Sequence, residues 1–437
     1  MRISQQSFAE RRQKLMAQMS AGSVAIIPSA REIARNRDVD YPFRQDSDFY
    51  YLTGFNEPDA VLVLVPGRTE GVVVMFCRDR DPEMEIWNGY RAGPEGVCNQ
   101  YGADQAYAID EIDQQMPKLL QGCIRLYYSI GTDEKLDNQV RGWLNDIRAQ
   151  ARMGAVAPGE MVMLDHLLHE MRLFKAEDEA EMMREAGRIS AEAHVRAMQA
   201  CKPGMTEYQL EAEITHHFAA NGCRQPAYSS IVGGGDNACV LHYTENWDEL
   251  HSGDLVLIDA GCELDYYAGD ITRTFPVSGK FSPEQRAVYE LVLKAQQACI
   301  DALQPGVPWN RIHDLSVEVL TEGLIELGLL KGERDELIES GAYRAFYMHR
   351  IGHWLGMDVH DVGDYKIAGD WRPLEPGMVM TVEPGIYISP QNEQVDEKWR
   401  GIGIRIEDDV LITATGSDVL SSGVPKSVAE IEALMGS

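Results

Sequence analysis

No apolar stretch in this 437-residue sequence approaches the roughly 18–20 residues that cross a bilayer, so a helical membrane span is excluded. The opening segment, "MRISQQSFAERRQKLMAQM", has no apolar leader core and no small-residue cleavage site. It reads as an amphipathic helix, and export is not expected. Basic residues are scarce. Forty Lys and Arg against 69 Asp and Glu leave a net charge of −29. Phosphate would be repelled, which argues against nucleic acid as a partner. The same charge favours metal ions and amino termini, although most of it serves solubility. None of the eight cysteines (Cys77, Cys98, Cys123, Cys201, Cys223, Cys239, Cys262 and Cys299) forms a C-x-x-C pair. Several lie in apolar stretches, where a free thiol packs as a small hydrophobe, and a reducing cytoplasm is expected. A phosphate loop is missing too: "VGGGDN" at Val232–Asn237 is Gly-rich but lacks the G-x-x-x-x-G-K-[ST] pattern.

What is present is ordinary globular material, 44% hydrophobic and 25% charged, long enough for two or three domains. In roughly the first 170 residues, "SVAIIP", "FYYLTGF", "AVLVLVPG" and "GVVVMF" read as buried strands. "EIDQQMPKLLQG" and "DNQVRGWLNDIRAQARM" read as helices, giving an α/β layer domain. A boundary is expected near "HEMRLFKAEDEAEMMREAGRISAEAHVRAM", whose second part is a long helix with acids in its first turn. The expected domains are residues 1–173 and 174–437. Beyond the boundary, "KPGMTEYQLEAEITHHFAANG" and "QPGVPWNRIHDLSVEVLTEGLIELG" share a Pro-Gly entry and an amphipathic helix ending at Gly. That pattern suits two similar halves with a site between them, though two such helices also arise by chance.

The informative carboxylates come in pairs. In "GDLVLIDAGCELDYYAGDITRTFPV", a buried strand ends in Asp259 and a second extended stretch carries Asp270. A turn centred on Leu264 and Asp265 sets the two acids directly opposite each other, with Gly261 facing Ala268. Opposed side chains have Cβ atoms about 4.5–5.5 Å apart. Two carboxylates at that distance need a proton or a cation between them. An isolated Asp in such a place would more simply cap a turn. "PGMVMTVEPGIYI" then places Glu383 at the end of an apolar strand. "RGIGIRIEDDVLIT" alternates strictly, with Arg405 and Glu407 on one face. A hairpin with a longer loop brings Glu383 and Glu407 together.

"MHRIGHWLGMDVHD" holds three of the eleven histidines, His349, His353 and His360. The His-x3-His spacing suggests a zinc helix, but Gly352 and Gly356 make a helix improbable and Arg350 stands where a zinc helix usually has Glu. The segment reads instead as loop and strand. His353, between the glycines, is the best ligand candidate; His349 and His360 suit supporting roles. His242, in "CVLHYTEN", taken alone fits a satisfied core residue. Four carboxylates and one imidazole suit two divalent ions, Mn²⁺ first, with Co²⁺, Fe²⁺ or Zn²⁺ as alternatives.

In order, Asp259, Asp270, His353, Glu383 and Glu407 resemble the metal signature of the pita-bread metallopeptidases. "YPFRQDSDFYYLTGFNEPDAVLVLVP", "HEMRLFK", "VLHYTEN", "HWLGMDVHDVG" and "LEPGMVMTVEPGIYI" extend the resemblance to bacterial aminopeptidase P over nearly the whole chain. The resemblance implies an α/β N-terminal domain and an α+β pita-bread catalytic domain with an internal pseudo-twofold repeat. It implies release of the N-terminal residue from peptides with proline second, by a water or hydroxide activated by two metals. Asp259 would chelate one metal, Asp270 and Glu407 would bridge both, and His353 and Glu383 would complete the second. Glu383 would also accept a proton. His360 and His242 would hold the peptide and stabilise the oxyanion, His349 would line the proline pocket, and Arg405 would orient carboxylates. Tyr228 and Tyr387 would sit near the substrate. Asp38 and Trp87 match positions that line active-site openings in a tetramer. One departure is Arg350, where the family motif has glycine; it bears on substrate range more than on metal binding. The alternatives are an Xaa-Pro dipeptidase and a non-catalytic pita-bread binding module.

Overall fold

The computed structural model describes residues 2–436, which form two compact units, one through Arg172 and one from Leu173. Among the described residues no helix is long and apolar enough to cross a membrane.

The first unit is built on strands β1 (Ser23–Pro28), β2 (Val61–Leu64), β3 (Val73–Cys77), β4 (Gln105–Ala108), β5 (Arg125–Tyr127) and β6 (Glu160–Val162). They form one mixed sheet in the order β4-β3-β2-β1-β5-β6. The central strands β2 and β3 are buried along their whole length, which explains their unbroken apolar sequence. One element differs from expectation. "FYYLTGF" is a helix, Ser47–Thr53, not a strand. Asp46 caps it by accepting from the Phe49 N–H, and Gly54 ends it at a φ of 62°. All but Asp48 of its residues are buried, so no amphipathic period marks it.

The second unit runs helix, helix, sheet, then helix, helix, sheet. Helices α1 (Glu177–Ala200) and α2 (Glu207–Ala220) precede strands β7 (Ile231–Gly234), β8 (Leu255–Asp259) and β9 (Thr272–Pro276). These pair antiparallel with β8 in the centre. Helices α3 (Pro283–Ala302) and α4 (Trp309–Glu326) then precede β10 (Val379–Val382), β11 (Gly385–Ile388), β12 (Ile402–Arg405), β13 (Asp408–Thr413) and β14 (Gly416–Val419). The sheet order is β10-β13-β14, with β11 and β12 as a pair. Helix α3 starts on a reciprocal cap between Ser282 and Gln285, with Pro283 in its first turn. The similar halves are joined at their acidic strands. The Glu407 N–H donates to the Thr272 carbonyl (3.0 Å), and the Asp270 N–H donates to Asp409 Oδ2 (3.0 Å).

The first hairpin is shifted from the expected register. Asp265 and Tyr266, both with positive φ (46° and 76°), form the two-residue turn, one position later than Leu264–Asp265. Asp259 therefore faces Thr272, not Asp270, and Ala268 pairs with Glu263, not Gly261. In the second hairpin, Val382 faces Asp408 and Gly385 faces Arg405. That single register places Glu383 across from Glu407, where one ladder hands over to the next.

Candidate metal centre

Strand ends bring the four acids together. Asp259 closes β8, Asp270 precedes β9, Glu383 lies between β10 and β11, and Glu407 lies between β12 and β13. The segment 349–361 carries the imidazoles and is not helical. It lies along β10: the Thr381 N–H donates to the His353 carbonyl (3.0 Å), and the Leu355 N–H donates to the Val379 carbonyl (3.1 Å). The approach is so close that a Cβ on Gly352 would lie 2.0 Å from the Thr381 carbonyl oxygen. At its far end Asp361 accepts from Lys175 Nζ at 2.8 Å, both side chains being buried.

These elements enclose a cavity of about 940 Å³. Its lining holds Asp259, Asp270, Glu383, Glu407, His242, His349, His353, His360, Tyr228 and Arg405, together with Arg350 and the aromatic residues Trp309, Tyr365 and Trp371. Tyr387 is behind this wall. It is almost fully buried, and its hydroxyl lies 2.9 Å from both His349 Nε2 and Arg405 Nη1. Asp38 and Trp87 belong to the first unit and are exposed, Asp38 at the tip of a short ribbon with a φ of 66°.

Hydrogen bonds decide which atoms face the centre. Arg405 Nη2 donates to Asp259 Oδ2 at 2.6 Å, and Arg405 Nε donates to Thr272 Oγ1 at 3.1 Å. Thr272 donates onward to Glu407 Oε2 at 2.6 Å. The Tyr228 hydroxyl stands 2.5 Å from one oxygen of Asp259 and 2.5 Å from one of Asp270, so it spans the pair despite the shifted register. The His353 Nδ1–H donates to the Trp354 carbonyl at 3.0 Å. That bond leaves Nε2 with a lone pair, aimed at Asp270 Oδ2 (3.5 Å) and Glu383 Oε1 (3.6 Å). For His349 the order is similar. Arg405 donates to the Tyr387 oxygen, Tyr387 donates to His349 Nε2, and the Nδ1–H donates to the Arg350 carbonyl at 2.7 Å.

Electrostatics follow from this crowding. Burial, then the nearby Asp259 and Asp409 carboxylates, push Asp270 well above the usual carboxylate range. Burial and Asp270 do the same to Glu407. Glu383 is pushed up to about 8 by burial, against the pull of Arg405. Burial holds the His353 imidazole down at about 4, and burial with Arg405 holds His349 at about 3. Beyond the bonds from Tyr228, Thr272 and Thr381, the remaining lone pairs and carboxylate oxygens face one another, an arrangement that calls for shared protons or a cation. Donor atoms of Asp270, His353 and Glu407 all lie within 4.8 Å of one another. This oxygen-rich set with one neutral imidazole fits a divalent cation. A second group, Asp48, Asp165 and His169 in the first unit, does not make that case, because Arg172 Nη1 already neutralises Asp48 at 2.6 Å.

Sequence reasoning missed Thr272 and Thr381, which orient Glu407 and Glu383 (the latter from 3.4 Å). It also missed the aromatic wall of Trp309, Tyr365 and Trp371, which come from α4 and from a short hairpin (Lys366–Ile367 with Asp370–Trp371) and the residue before it, far from α4 in sequence.

The family model for metallopeptidase family M24 matches residues 181–414, and that for the aminopeptidase P N-terminal domain matches residues 8–127. The chain is 50% identical to the Xaa-Pro aminopeptidase of Escherichia coli, over 99% of this chain and 98% of that protein. It is 48% identical to that of Haemophilus influenzae, with the same coverage. Among solved structures, an aminopeptidase from Pseudomonas aeruginosa superposes with a TM-score of 0.99 at 58% identity, covering 100% of this chain and 98% of that one. Zinc-substituted Escherichia coli aminopeptidase P in complex with product superposes with a TM-score of 0.97 at 50% identity, covering 100% and 99%.

Proposed function

The chain belongs to metallopeptidase family M24, and from that premise we propose that it releases the N-terminal residue from peptides whose second residue is proline. The observation that carries this reading is the set of mutually facing acceptors, Asp270, His353, Glu383 and Glu407, which suits a divalent cation. In this reading Asp259, Asp270, Glu407, His353 and Glu383 hold two divalent ions, with Mn²⁺ the first candidate. When bound, the ions supply a water activated near neutral pH and Lewis acidity toward the scissile carbonyl.

The chain's own residues do the rest. Glu383 accepts the proton of the attacking water and returns it to the departing proline nitrogen, which must leave protonated. His242 and His360, both on the cavity lining, hold the peptide and donate to the developing oxyanion. His349, fixed by Tyr387 and by the Arg350 carbonyl, forms a rigid wall for the pyrrolidine ring. Tyr228 and Arg405 hold Asp259 and Asp270 in place. An imide bond before proline has no N–H, so a site that recognises ring shape suits it better than one that needs that donor. The acidic end receives the free amino terminus. Tyr387 acts from behind His349, without touching substrate.

The reading includes a cytoplasmic setting, in keeping with eight free cysteines. It also includes a homotetramer in which Asp38 and Trp87 border active-site openings, a role that suits a Trp87 side chain 82% exposed. Hydrolysis of Xaa-Pro-Yaa tripeptides in Mn²⁺, with Xaa-Ala-Yaa and Xaa-Pro as controls, tests the activity. Cleavage of dipeptides alone would replace this reading with a dipeptidase. A purified protein that holds no divalent ion and gains no activity from added Mn²⁺ would overturn it.

A further inference from the structure

We infer that Arg350 determines specificity beyond the scissile bond: its guanidinium receives the C-terminal carboxylate of a short Xaa-Pro-Yaa peptide whose amino terminus faces the acidic cluster. The inference rests on the Xaa-Pro reading above and extends it to the residue after proline.

The first ground is charge. Arg350 lines the cavity and is exposed, and among the described residues no carboxylate forms an ion pair with it. The other cations around the site are committed: Arg405 to Asp259, Arg273 to Asp408 and Lys175 to Asp361, at 2.6, 2.7 and 2.8 Å. In a chain of net charge −29, a guanidinium without an ion pair on the wall of an acidic cavity is, among the described residues, the lining group with a full positive charge left to offer an anion.

The second ground is pre-organisation. The Arg350 guanidinium carbon lies 5.8 Å from the centre of the Trp371 ring, which stacks on Trp309 at 5.7 Å. The indole pair supports the planar fork without using its N–H donors, which stay available for a carboxylate.

The third ground is reach. The Arg350 carbonyl accepts from His349 Nδ1 at 2.7 Å, and the same nitrogen lies 3.8 Å from Glu383 Oε2. One nitrogen of His349 thus links the backbone of Arg350 to the acids, while its guanidinium lies by Trp371 on the same cavity lining. An extended peptide covers roughly 3.3–3.6 Å per residue. A tripeptide with its amino group at the acids and its proline against His349 therefore presents its terminal carboxylate on the Arg350 side. Lys366 approaches the same indole, 4.6 Å from the ring centre, but does not line the cavity.

The test compares kcat/KM for Ala-Pro-Gly as free acid and as C-terminal amide, and for Ala-Pro-Asp as amide, in Mn²⁺-loaded wild type, Arg350→Gln, Arg350→Lys and Lys366→Gln. The wild type should favour the free acid over the amide by about fivefold, the size of a partly exposed ion pair. In Arg350→Gln the ratio should fall to about 1 through a higher KM for the acid. Arg350→Lys should keep part of the preference, and Lys366→Gln should keep all of it. Equal rates on acid and amide in the wild type, or a ratio that survives Arg350→Gln, would overturn the inference. So would an advantage confined to the side-chain carboxylate of Ala-Pro-Asp amide. Failure to cleave any of the three would sink the Xaa-Pro reading itself, and this inference with it.

Discussion

His353 and His360 hold their rings 4.2 Å apart in different surroundings. His353 spends Nδ1–H on the Trp354 carbonyl and offers Nε2 to the carboxylates. His360 is exposed on the cavity wall. Replacing His353 by Ala should lower metal occupancy after dialysis, measured by elemental analysis. His360→Ala should retain the metal while kcat falls about 10²–10³-fold, the range for loss of one oxyanion donor. Equal metal loss in both variants would show that the two imidazoles are not divided in this way. The non-helical character of this segment was legible from Gly352 and Gly356. The threonines were not, because Thr272 and Thr381 act through single hydroxyl groups in strands that look merely β-rich.

At the scale of elements, the segment 349–361 depends on what pins its ends. Gly352 admits the Thr381 carbonyl, and Asp361 is tied to Lys175, which precedes α1. Lys175→Met should destabilise the fold in urea unfolding, by up to about 3–5 kcal/mol, because it removes one buried partner of a buried ion pair. The double variant Lys175→Met, Asp361→Leu should recover much of that loss, since the charge is then gone. If the single variant unfolds at the wild-type midpoint, Asp361 has another route to neutrality. The meeting of Glu383 and Glu407 through a hairpin with a longer loop was legible, but strict alternation in "RGIGIRIEDDVLIT" marks only the faces of one strand, and the register comes from the pairing itself. In the first hairpin the turn lies one position later than the sequence suggests. Its turn uses Asp265 and Tyr266, and a tyrosine at positive φ is not a residue that announces a turn. The helix at Ser47–Thr53 was hidden for another reason: buried on nearly all sides, it has the composition of a core strand.

For the whole molecule, charge crowding couples metal binding to protons. Glu383 at about 8 keeps a proton near pH 7 in the metal-free enzyme, and burial shifts Asp270 and Glu407 in the same direction. Mn²⁺ binding should then release roughly one to two protons per subunit. Calorimetry in buffers of different ionisation enthalpy measures that number, and a value of zero would mean that the acids are already ionised. Acid stability carries a separate signature. His194, fully buried with Nε2 at 2.9 Å from the Ala260 carbonyl, has its pKa pushed down to about 4 by burial. Above about pH 6.5 it is neutral in both the folded and the unfolded chain. Between 6.5 and 4 the unfolded chain binds a proton that the folded one refuses, so stability drains away as pH falls through that window. The loss should approach about 3 kcal/mol, and His194→Gln should flatten the slope in urea titrations at pH 7 and pH 4.5.

The bond from the Glu407 N–H to the Thr272 carbonyl joins the two halves of the second unit at their acidic strands. Asp259 and Asp270 lie on one side of that seam, and His353, Glu383 and Glu407 lie on the other. Neither half owns a complete set of donors. In a chain severed between the repeats, activity would become second order, rising with the product of the two fragment concentrations.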